Sequence, residues 1–289
     1  MMTPLVLDFD ASVLGLDAAQ RIDLRDWQEA IRFGCSLRRW RALRAQLARQ
    51  MPDKHGTVLL GSGDLHHLSH LLTERCQAPQ FDLLVFDNHP DNMRFPFGIH
   101  CGSWVRHAAR LPQVRRIDVV GICSADIGAS HAWENYWQPL RSGKLHYWSV
   151  GVDTRWAQRF GLAAQMHAHA DQAALLAAFS AHLQATATPL YLSIDKDVLA
   201  PEVAHTNWDQ GSMQLEQMEA LIALLAGRVV GSDITGDISA YRYRSAWKRW
   251  LSALDEQPEI SPAQLAQWQA QQAAVNQRLL PLIAAQTRA

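Results

Sequence analysis

The sequence has few cysteines and no excess of charge of either sign. Its 289 residues include four scattered cysteines with no CxxC pair, namely Cys35, Cys76, Cys101 and Cys123. This spacing excludes a disulfide framework and a zinc ribbon, and we expect a reducing, cytoplasmic location. The 27 Lys and Arg residues balance 28 Asp and Glu residues, which gives a net charge of −1. This balance argues against a nucleic-acid or anionic-membrane partner.

Long apolar runs are also absent. No stretch approaches the roughly 18 apolar residues that cross a membrane. The N-terminus, MMTPLVLDFD, lacks the basic and long apolar regions of a signal peptide. Hydrophobic residues nevertheless make up 48% of the chain, which suits a large core and excludes intrinsic disorder. We therefore expect one globular domain over residues 1–289, with a small-molecule substrate and no membrane partner.

Short β-forming runs alternate with helical stretches along the chain. Several runs, such as LLVF and VVGI, are apolar on both faces, as is typical of strands buried in a parallel sheet. The alternation predicts an α/β protein with three α/β/α layers around a central, mostly parallel sheet. The predicted strands are Leu5–Phe9, Thr57–Leu60, Leu83–Phe86, Ile117–Ile122, His146–Val150, Leu190–Ile194 and Val229–Asp233.

The C-terminal segment, rich in Ala and Gln, predicts a long amphipathic helix over about residues 261–289. Ser261 and Pro262 form a helix start signal, and Pro281 is expected to kink or end the helix. An apolar stripe that includes Val275 and Leu279 packs either on the domain or on a neighbouring subunit.

Acidic and histidine side chains follow several predicted strands. DNHPD (residues 87–91) and SIDKD (residues 193–197) follow apolar strands, and GSGDLHH (residues 61–67) adds histidine. The carboxyl ends of parallel strands share one edge, where ligands bind. Four carboxylates gathered there would repel one another unless cations neutralise them. Oxygen and nitrogen ligands without thiolate favour Mn²⁺, then Fe²⁺, Zn²⁺ or Ni²⁺, and their number predicts two metals about 3.5 Å apart.

These motifs resemble those of the ureohydrolase superfamily, which includes arginase, agmatinase and formiminoglutamase. GSGDLHH resembles the family's GGDHS with one residue inserted, DNHPD resembles DAHxD, and SIDKD resembles SxDxD. Their order and spacing agree over residues 61–237. The resemblance implies a fold of the arginase and deacetylase type, a dimanganese centre, and assembly into trimers or hexamers.

Carried over position by position, the resemblance implies six metal ligands, two of which bridge. The first metal takes His66, Asp87, Asp91 and Asp195, and the second takes Asp87, His89, Asp195 and Asp197. Because of the inserted residue, His67 remains an alternative to His66.

His100 resembles a family histidine that shuttles a proton near the leaving group. The alternative is a histidine that caps the following helix.

Two departures from the family indicate a non-standard substrate. Gly236 stands where members that act on guanidines have a glutamate, and Asp237 follows one position later. The loop over residues 200–211 lacks the family's PGTGTP stretch. Its substitutes are predicted to face the pocket, and they are His205, Asn207, Trp208 and Asp209.

The leading hypothesis is a metal-dependent hydrolase that cleaves a non-peptide C–N bond in a guanidino-, amidino- or formimino-type small molecule. A metal-bridging hydroxide attacks the carbon, His100 or Asp197 passes a proton to the leaving nitrogen, and Asp237 holds a cationic part of the substrate. The main alternative is a metal-binding relative that has lost hydrolysis and has a binding or regulatory role. A single-zinc deacetylase, or a phosphatase suggested by the DFDAS motif (residues 8–12), is also considered.

Overall fold

The computed structural model of the chain describes residues 2–246, 248–249 and 260–288. Nine of its strands form one sheet in the order β2-β1-β4-β11-β10-β5-β7-β8-β9, and every neighbouring pair is parallel. In chain order these strands are β1 (Leu5–Asp8), β2 (Gln20–Asp23), β4 (Val58–Leu59), β5 (Phe81–Phe86), β7 (Val114–Ile122), β8 (Leu145–Val150), β9 (Met166–His169), β10 (Leu190–Asp195) and β11 (Val229–Thr235). Strands β3 (Gly34–Cys35) and β6 (Ile99–His100) form a separate antiparallel pair.

Helices cover both faces of the nine-stranded sheet. In chain order they are α1 (Gln28–Ile31), α2 (Leu37–Gln50), α3 (Leu68–Arg75), α4 (Trp104–Ala108), α5 (Trp137–Arg141), α6 (Gln172–Gln184), α7 (Leu215–Ala223) and α8 (Pro262–Gln286). One buried cluster joins the sheet to α2, α3, α4 and α5, and the other joins it to α6, α7 and α8. Side chains of β5 alternate between the two clusters, as a strand buried on both faces requires. The three-layer α/β/α prediction is therefore confirmed.

All seven predicted strands are present, with ends that differ by up to three residues from the prediction. Strands β2, β3, β6 and β9 were not predicted. The edge strands β2 (QRID) and β9 (MHAH) are mainly polar and partly exposed, so they carry no apolar run. Strands β3 and β6 contain two residues each, which is too short for a periodic pattern.

The C-terminal helix α8 begins where the sequence predicts. Ser261 caps it by accepting a hydrogen bond from the Gln264 N–H at 3.3 Å. The helix continues through Pro281, so the alternative that this proline ends it is wrong. Buried Leu280 and Ile283 pack on either side of the proline, and their burial offsets the backbone hydrogen bond that proline cannot donate. The buried stripe packs on this domain. Position 289, the end of the predicted helix, lies outside the described residues.

A search of the described helices found none with the length and apolar character needed to span a bilayer.

Candidate metal centre

The candidate site lies at the carboxyl edge of the sheet, where β5 and β10 end side by side. These strands pair in register up to Phe86 and Ile194. Asp87 and Asp195 are the next residues, so both carboxylates project from the same edge. The turn after β4, two strands away from β10, supplies His66. The parallel topology thus gathers three motifs that are far apart in the sequence.

His66 points into a group of three carboxylates. Its Nδ1 atom lies 2.9 Å from Oδ2 of Asp91, 3.2 Å from Oδ2 of Asp87 and 3.4 Å from Oδ2 of Asp195. On the other side of the ring, Nε2 lies 3.1 Å from the Ser193 hydroxyl. This second contact orients the ring, as outer contacts commonly do for a histidine that binds a metal.

His89 points into a second group that shares Asp87 with the first. Its Nδ1 atom lies 3.0 Å from Oδ2 of Asp197 and 3.6 Å from Oδ1 of Asp87. Asp87 therefore directs one carboxylate oxygen to each imidazole, which is the arrangement a bridging ligand needs. Asp195 lies beside the first group, and its Oδ1 accepts a hydrogen bond from the Asp197 N–H at 3.1 Å.

Burial and mutual repulsion perturb the four carboxylates. Burial, followed by the charge of Asp87, raises the pKa of Asp91 to about 7 and that of Asp197 to about 6. Burial and the charge of Asp197 raise the pKa of Asp195 well above its usual value. Burial also acts on Asp87, but hydrogen bonds from the two imidazoles hold its pKa below the usual range. Without cations, the site therefore retains protons to limit its negative charge.

The pKa values of the two imidazoles, His66 and His89, are raised, although burial alone would lower them. Burial would lower the pKa of His66, but Asp87 and Asp91 raise it well above its usual value. Burial likewise opposes protonation of His89, and the charge of Asp197 leads the contacts that raise its pKa well above the usual value. Divalent cations would replace these protons, because they neutralise the same carboxylates.

The donor atoms fit two cations. Among the described residues, two groups each offer three ligand atoms that lie within 4.8 Å of one another. The ligand atoms are carboxylate oxygens and imidazole nitrogens, a set that suits Mn²⁺, Fe²⁺ or Zn²⁺. The first group is His66, Asp87 and Asp91, and the second is Asp87, His89 and Asp197.

The structure separates the two adjacent histidines of the first motif. His66 faces the carboxylates, whereas the buried His67 ring lies 5.8 Å from the ring of Trp40. Burial and the nearby charge of Lys248 lower the pKa of His67 well below its usual value. Of the two alternatives that the inserted residue left open, His66 is the one beside the acids.

His100 lines the same cavity as the two metal groups. This cavity encloses about 430 Å³. Its ring lies against Phe95, with centroids 4.2 Å apart, and is stacked with Phe33 at 6.0 Å. In the described part of the chain its buried Nδ1 has no hydrogen-bond partner, and its backbone N–H donates to the Ser103 hydroxyl at 3.1 Å in the turn that follows. Burial, then the charge of Arg106, lowers its pKa to about 3. The ring is therefore uncharged at neutral pH in the metal-free site.

Asp237, which was predicted to hold a substrate cation, is not among the described residues that line the cavity, and its carboxylate pairs with buried side chains instead. Oδ1 of Asp237 accepts a hydrogen bond from the Lys196 ammonium at 2.6 Å and another from the Asn276 amide at 3.2 Å. Alternation along SIDKD turns Lys196 away from the acids on either side of it. This buried lysine requires a counterion, and Asp237 provides it.

The loop over residues 200–211 contributes only part of its predicted set to the cavity. Trp208 and Asp209 line it. His205 instead stacks on Trp268 with centroids 4.5 Å apart, and Asn207 donates to the Ser239 carbonyl at 2.9 Å. The loop therefore adds one aromatic and one acidic group to the cavity.

Asp209 acts on the second metal group from outside. Its Oδ1 lies 2.7 Å from Nε2 of His89, and its Oδ2 accepts a hydrogen bond from the Asn88 amide at 3.1 Å. This arrangement, a carboxylate behind a histidine whose other nitrogen faces the metal group, fixes the ring and its tautomer.

Several residues of the cavity wall gave no sequence signal. Phe33 lines the cavity with a left-handed backbone (φ 68°), which a phenylalanine rarely adopts. Hydrogen bonds from the Phe33 N–H to the Asp64 carbonyl, and from the Cys101 N–H to the Phe33 carbonyl, hold it there. Arg94 and Asp126 also line the cavity, from loops after β5 and β7. None of these residues belongs to a recognisable motif.

Comparisons with known proteins agree with this geometry. The sequence profile of the Arginase family matches residues 12–236. An uncharacterized protein of Thermotoga maritima is 28% identical over 188 residues, which are 65% of this chain and 60% of that protein. The chain thus spans about 60% of the length of this curated relative.

Solved structures share the fold at low sequence identity. Proclavaminate amidino hydrolase from Streptomyces clavuligerus superposes with a TM-score of 0.55 at 14% identity, over 99% of this chain and 93% of that one. Arginase from Bacillus subtilis gives 0.54 at 11% identity, over 99% and 98%. Formiminoglutamase from Trypanosoma cruzi with Mn²⁺ gives a TM-score of 0.53 at 11% identity, over 99% of this chain and 94% of that one. With its profile match across most of its length, this chain belongs to the arginase family.

Proposed function

We propose that the chain is a hydrolase that uses two divalent cations, with Mn²⁺ as the first candidate, to cleave a non-peptide C–N bond. The substrate would be a small molecule with a guanidino-, amidino-, formimino- or amide-like group. The observation that carries this proposal is the position of Asp87, which directs one carboxylate oxygen toward each of two buried imidazoles. A structural role would not require four buried carboxylates around a cavity of this size.

The fold relatives support this reaction class. The Streptomyces clavuligerus structure is named as an amidino hydrolase, and the Trypanosoma cruzi structure is a formiminoglutamase that contains Mn²⁺. These names describe those proteins. They motivate the choice of metal and of the C–N bond for the present chain.

Six side chains would hold the two cations. The first would take His66, Asp87, Asp91 and Asp195, and the second Asp87, His89, Asp195 and Asp197. When bound, such cations supply a water of lowered pKa as the nucleophile and stabilise developing negative charge.

The protein's own residues provide the rest of the chemistry. Asp209 orients the His89 ring through the 2.7 Å contact. The neutral His100 ring can receive a proton and deliver it to the leaving nitrogen. The aromatic wall formed by Phe33, Phe95 and Trp208 excludes water around the reacting carbon. Self-association, which the resemblance implies, stays a prediction.

The test combines metal content with a substrate screen. Protein purified with Mn²⁺ is assayed for metal, and for release of urea, ammonia or formamide from arginine, agmatine, guanidinobutyrate, formiminoglutamate and simple guanidines and amides. Two metals per chain with turnover of one compound would support the proposal. Two metals without turnover would favour the alternative of a silent binding or regulatory protein. No metal uptake would contradict the assignment of the site.

A further inference from the structure

Trp208 brings an unused hydrogen-bond donor to the metal cavity. Its indole Nε1 is buried, and no acceptor among residues 2–246, 248–249 and 260–288 meets it. An indole N–H can only donate a hydrogen bond. Because buried donors are nearly always paired in folded proteins, an unpaired one in a cavity wall points to an acceptor on a ligand.

The donor lies beside the reacting centre. A Cβ atom built on Gly63 would lie 3.1 Å from Oδ2 of Asp195 and 3.5 Å from Nε1 of Trp208. Both atoms therefore border the same small space, which glycine keeps open. The Trp208 ring also meets His89 edge-on, with centroids 6.3 Å apart. The Trp208 indole thus lies beside Asp195 and His89, residues of the two proposed metal sites.

Two acids that could otherwise hold a substrate cation, Asp209 and Asp237, are already engaged. Both oxygens of Asp209 are used, one by His89 and the other by Asn88. Asp237, at the position next to the family's glutamate, is paired with Lys196 outside the cavity. A donor rather than a free acid therefore faces the substrate on this wall.

We infer that Trp208 donates its hydrogen bond to an oxygen on the reacting carbon, so that the preferred substrate is amide-like, such as a formamido compound, and not a guanidinium. A guanidinium carries only donors and cannot pair with an indole N–H. A carbonyl oxygen can, and the bond strengthens as negative charge grows on that oxygen. This inference rests on the proposed function and narrows its substrate class.

The reaction that follows is simple hydrolysis. The oxygen of water bonds to the carbonyl carbon, whose π electrons move to the carbonyl oxygen beside Trp208. That electron pair then returns, the C–N bond breaks, and the nitrogen leaves with a proton delivered through His100. The products are a carboxylic acid and an amine, and no oxidant or reductant is needed.

The test uses two probes that differ only at the reacting group, 4-formamidobutanoate and 4-guanidinobutanoate. The full chain is loaded with Zn²⁺, which is diamagnetic, and the indole N–H signals are recorded by ¹H–¹⁵N correlation NMR. The signal missing in Trp208→Phe identifies Trp208. We expect the formamido probe to shift this signal downfield and the guanidino probe to leave it in place.

Binding measurements add a second readout with a matched control. Trp208→Phe keeps an aromatic face and removes the N–H, so we expect at least about tenfold weaker binding of the formamido probe. Trp133→Phe makes the same change at an exposed indole that bonds to the Ser130 carbonyl, and should change nothing. Asp126→Asn tests the remaining acid of the cavity wall as a site for guanidinium.

The outcomes separate this inference from the proposed function. Zinc content is measured on the same samples, so failure to bind metal would overturn the proposed function itself. With two metals bound, preference for the guanidino probe, or its loss in Asp126→Asn, would overturn only the amide-like assignment. Metal-loaded protein that binds neither probe also counts against it.

Discussion

Two buried groups of charged side chains in this molecule are neutralised in different ways. One surrounds Arg32, whose guanidinium lies 2.6 Å from Asp64 and 3.4 Å from Asp10, with the Ser239 hydroxyl at 2.7 Å. The other is the candidate metal centre, where two imidazoles lie within 3.6 Å of the four carboxylates in the part of the chain that the structure describes. Asp10 of the DFDAS motif belongs to the first group, which accounts for its burial without a phosphatase reaction.

The difference shows how a structure can indicate a metal site before any metal is seen. The Arg32 group has an internal cation within hydrogen-bond reach of both acids. At the metal centre, the nearest cation-forming groups are histidines that the acids themselves must keep protonated. The first group is neutralised within the fold, whereas the proposed function assigns added cations to the second.

The largest effect is expected for Asp87→Ala, which removes the carboxylate common to both metal groups. Both metals and activity should be lost together, with a rate loss of about 10³-fold or more, since metal catalysis supplies several kcal/mol. Asp195→Ala should behave alike. Metal analysis and an assay check this, with the exposed Asp153→Ala as the control. A variant that kept two metals would refute the shared-ligand assignment.

Arg32→Met should break the other group without emptying the metal centre. Removal of one partner leaves buried carboxylates unpaired, which costs about 3–5 kcal/mol in the free energy of unfolding. Urea denaturation measures this loss. Arg155→Met removes a guanidinium from an exposed pair with Asp153 and should leave the free energy of unfolding nearly unchanged. Equal losses in the two variants would show that the Arg32 group is not a buried network.

Asp209→Asn sharpens the contrast within the metal centre. The substitution keeps the shape of the side chain but weakens its hold on Nε2 of His89. Loss of such outer partners lowers metal affinity by about 10–100-fold. Titration with Mn²⁺ should show this loss at one of two sites. Unchanged affinity at both sites would mean that Asp209 does not orient the ligand.

The smallest effect is a pH trend in the metal-free protein. The folded-state pKa values of Asp91 and Asp197, about 7 and about 6, lie above the ordinary 3.8. Protonated Asp91 and Asp197 therefore stabilise the folded state fully below pH 3.8, and this contribution is lost as the pH rises through 6 to 7. The lowered pKa of Asp87 makes the stability rise with pH, but only below about pH 4, where this carboxyl titrates in the unfolded chain. Buried histidines with lowered pKa values, such as His67 and His70, add a rise of stability with pH in both the metal-free and the metal-loaded protein. The test is therefore the gain in melting temperature on addition of Mn²⁺, which should grow from pH 5 to 8, and a gain that shrinks over this range would contradict the assignment.

Much of the fold and of the ligand set could be predicted because the relevant signals are local. Buried parallel strands are apolar on both faces, as β5 and β10 show, and acids that follow them must share an edge. The sequence did not distinguish His66 from His67 as the ligand, since one inserted residue changes which side of a short turn each occupies.

The rest depends on contacts between distant segments. That Asp237 pairs with Lys196 follows from the burial of both side chains, which spacing does not reveal. Phe33 enters the cavity wall through main-chain hydrogen bonds to residues 64 and 101. His205 stacks on Trp268, and Asn207 donates a hydrogen bond to the Ser239 carbonyl. Both partners lie in distant segments, so the sequence of the loop alone could not predict where these two side chains point.

The most direct test of the central claim is an anomalous diffraction experiment on crystals grown with Mn²⁺. The account predicts two peaks per chain about 3.5 Å apart. One should lie among His66, Asp87 and Asp91, and the other among Asp87, His89 and Asp197. A single peak, or peaks that do not share Asp87, would contradict the claim that this carboxylate joins two metal sites.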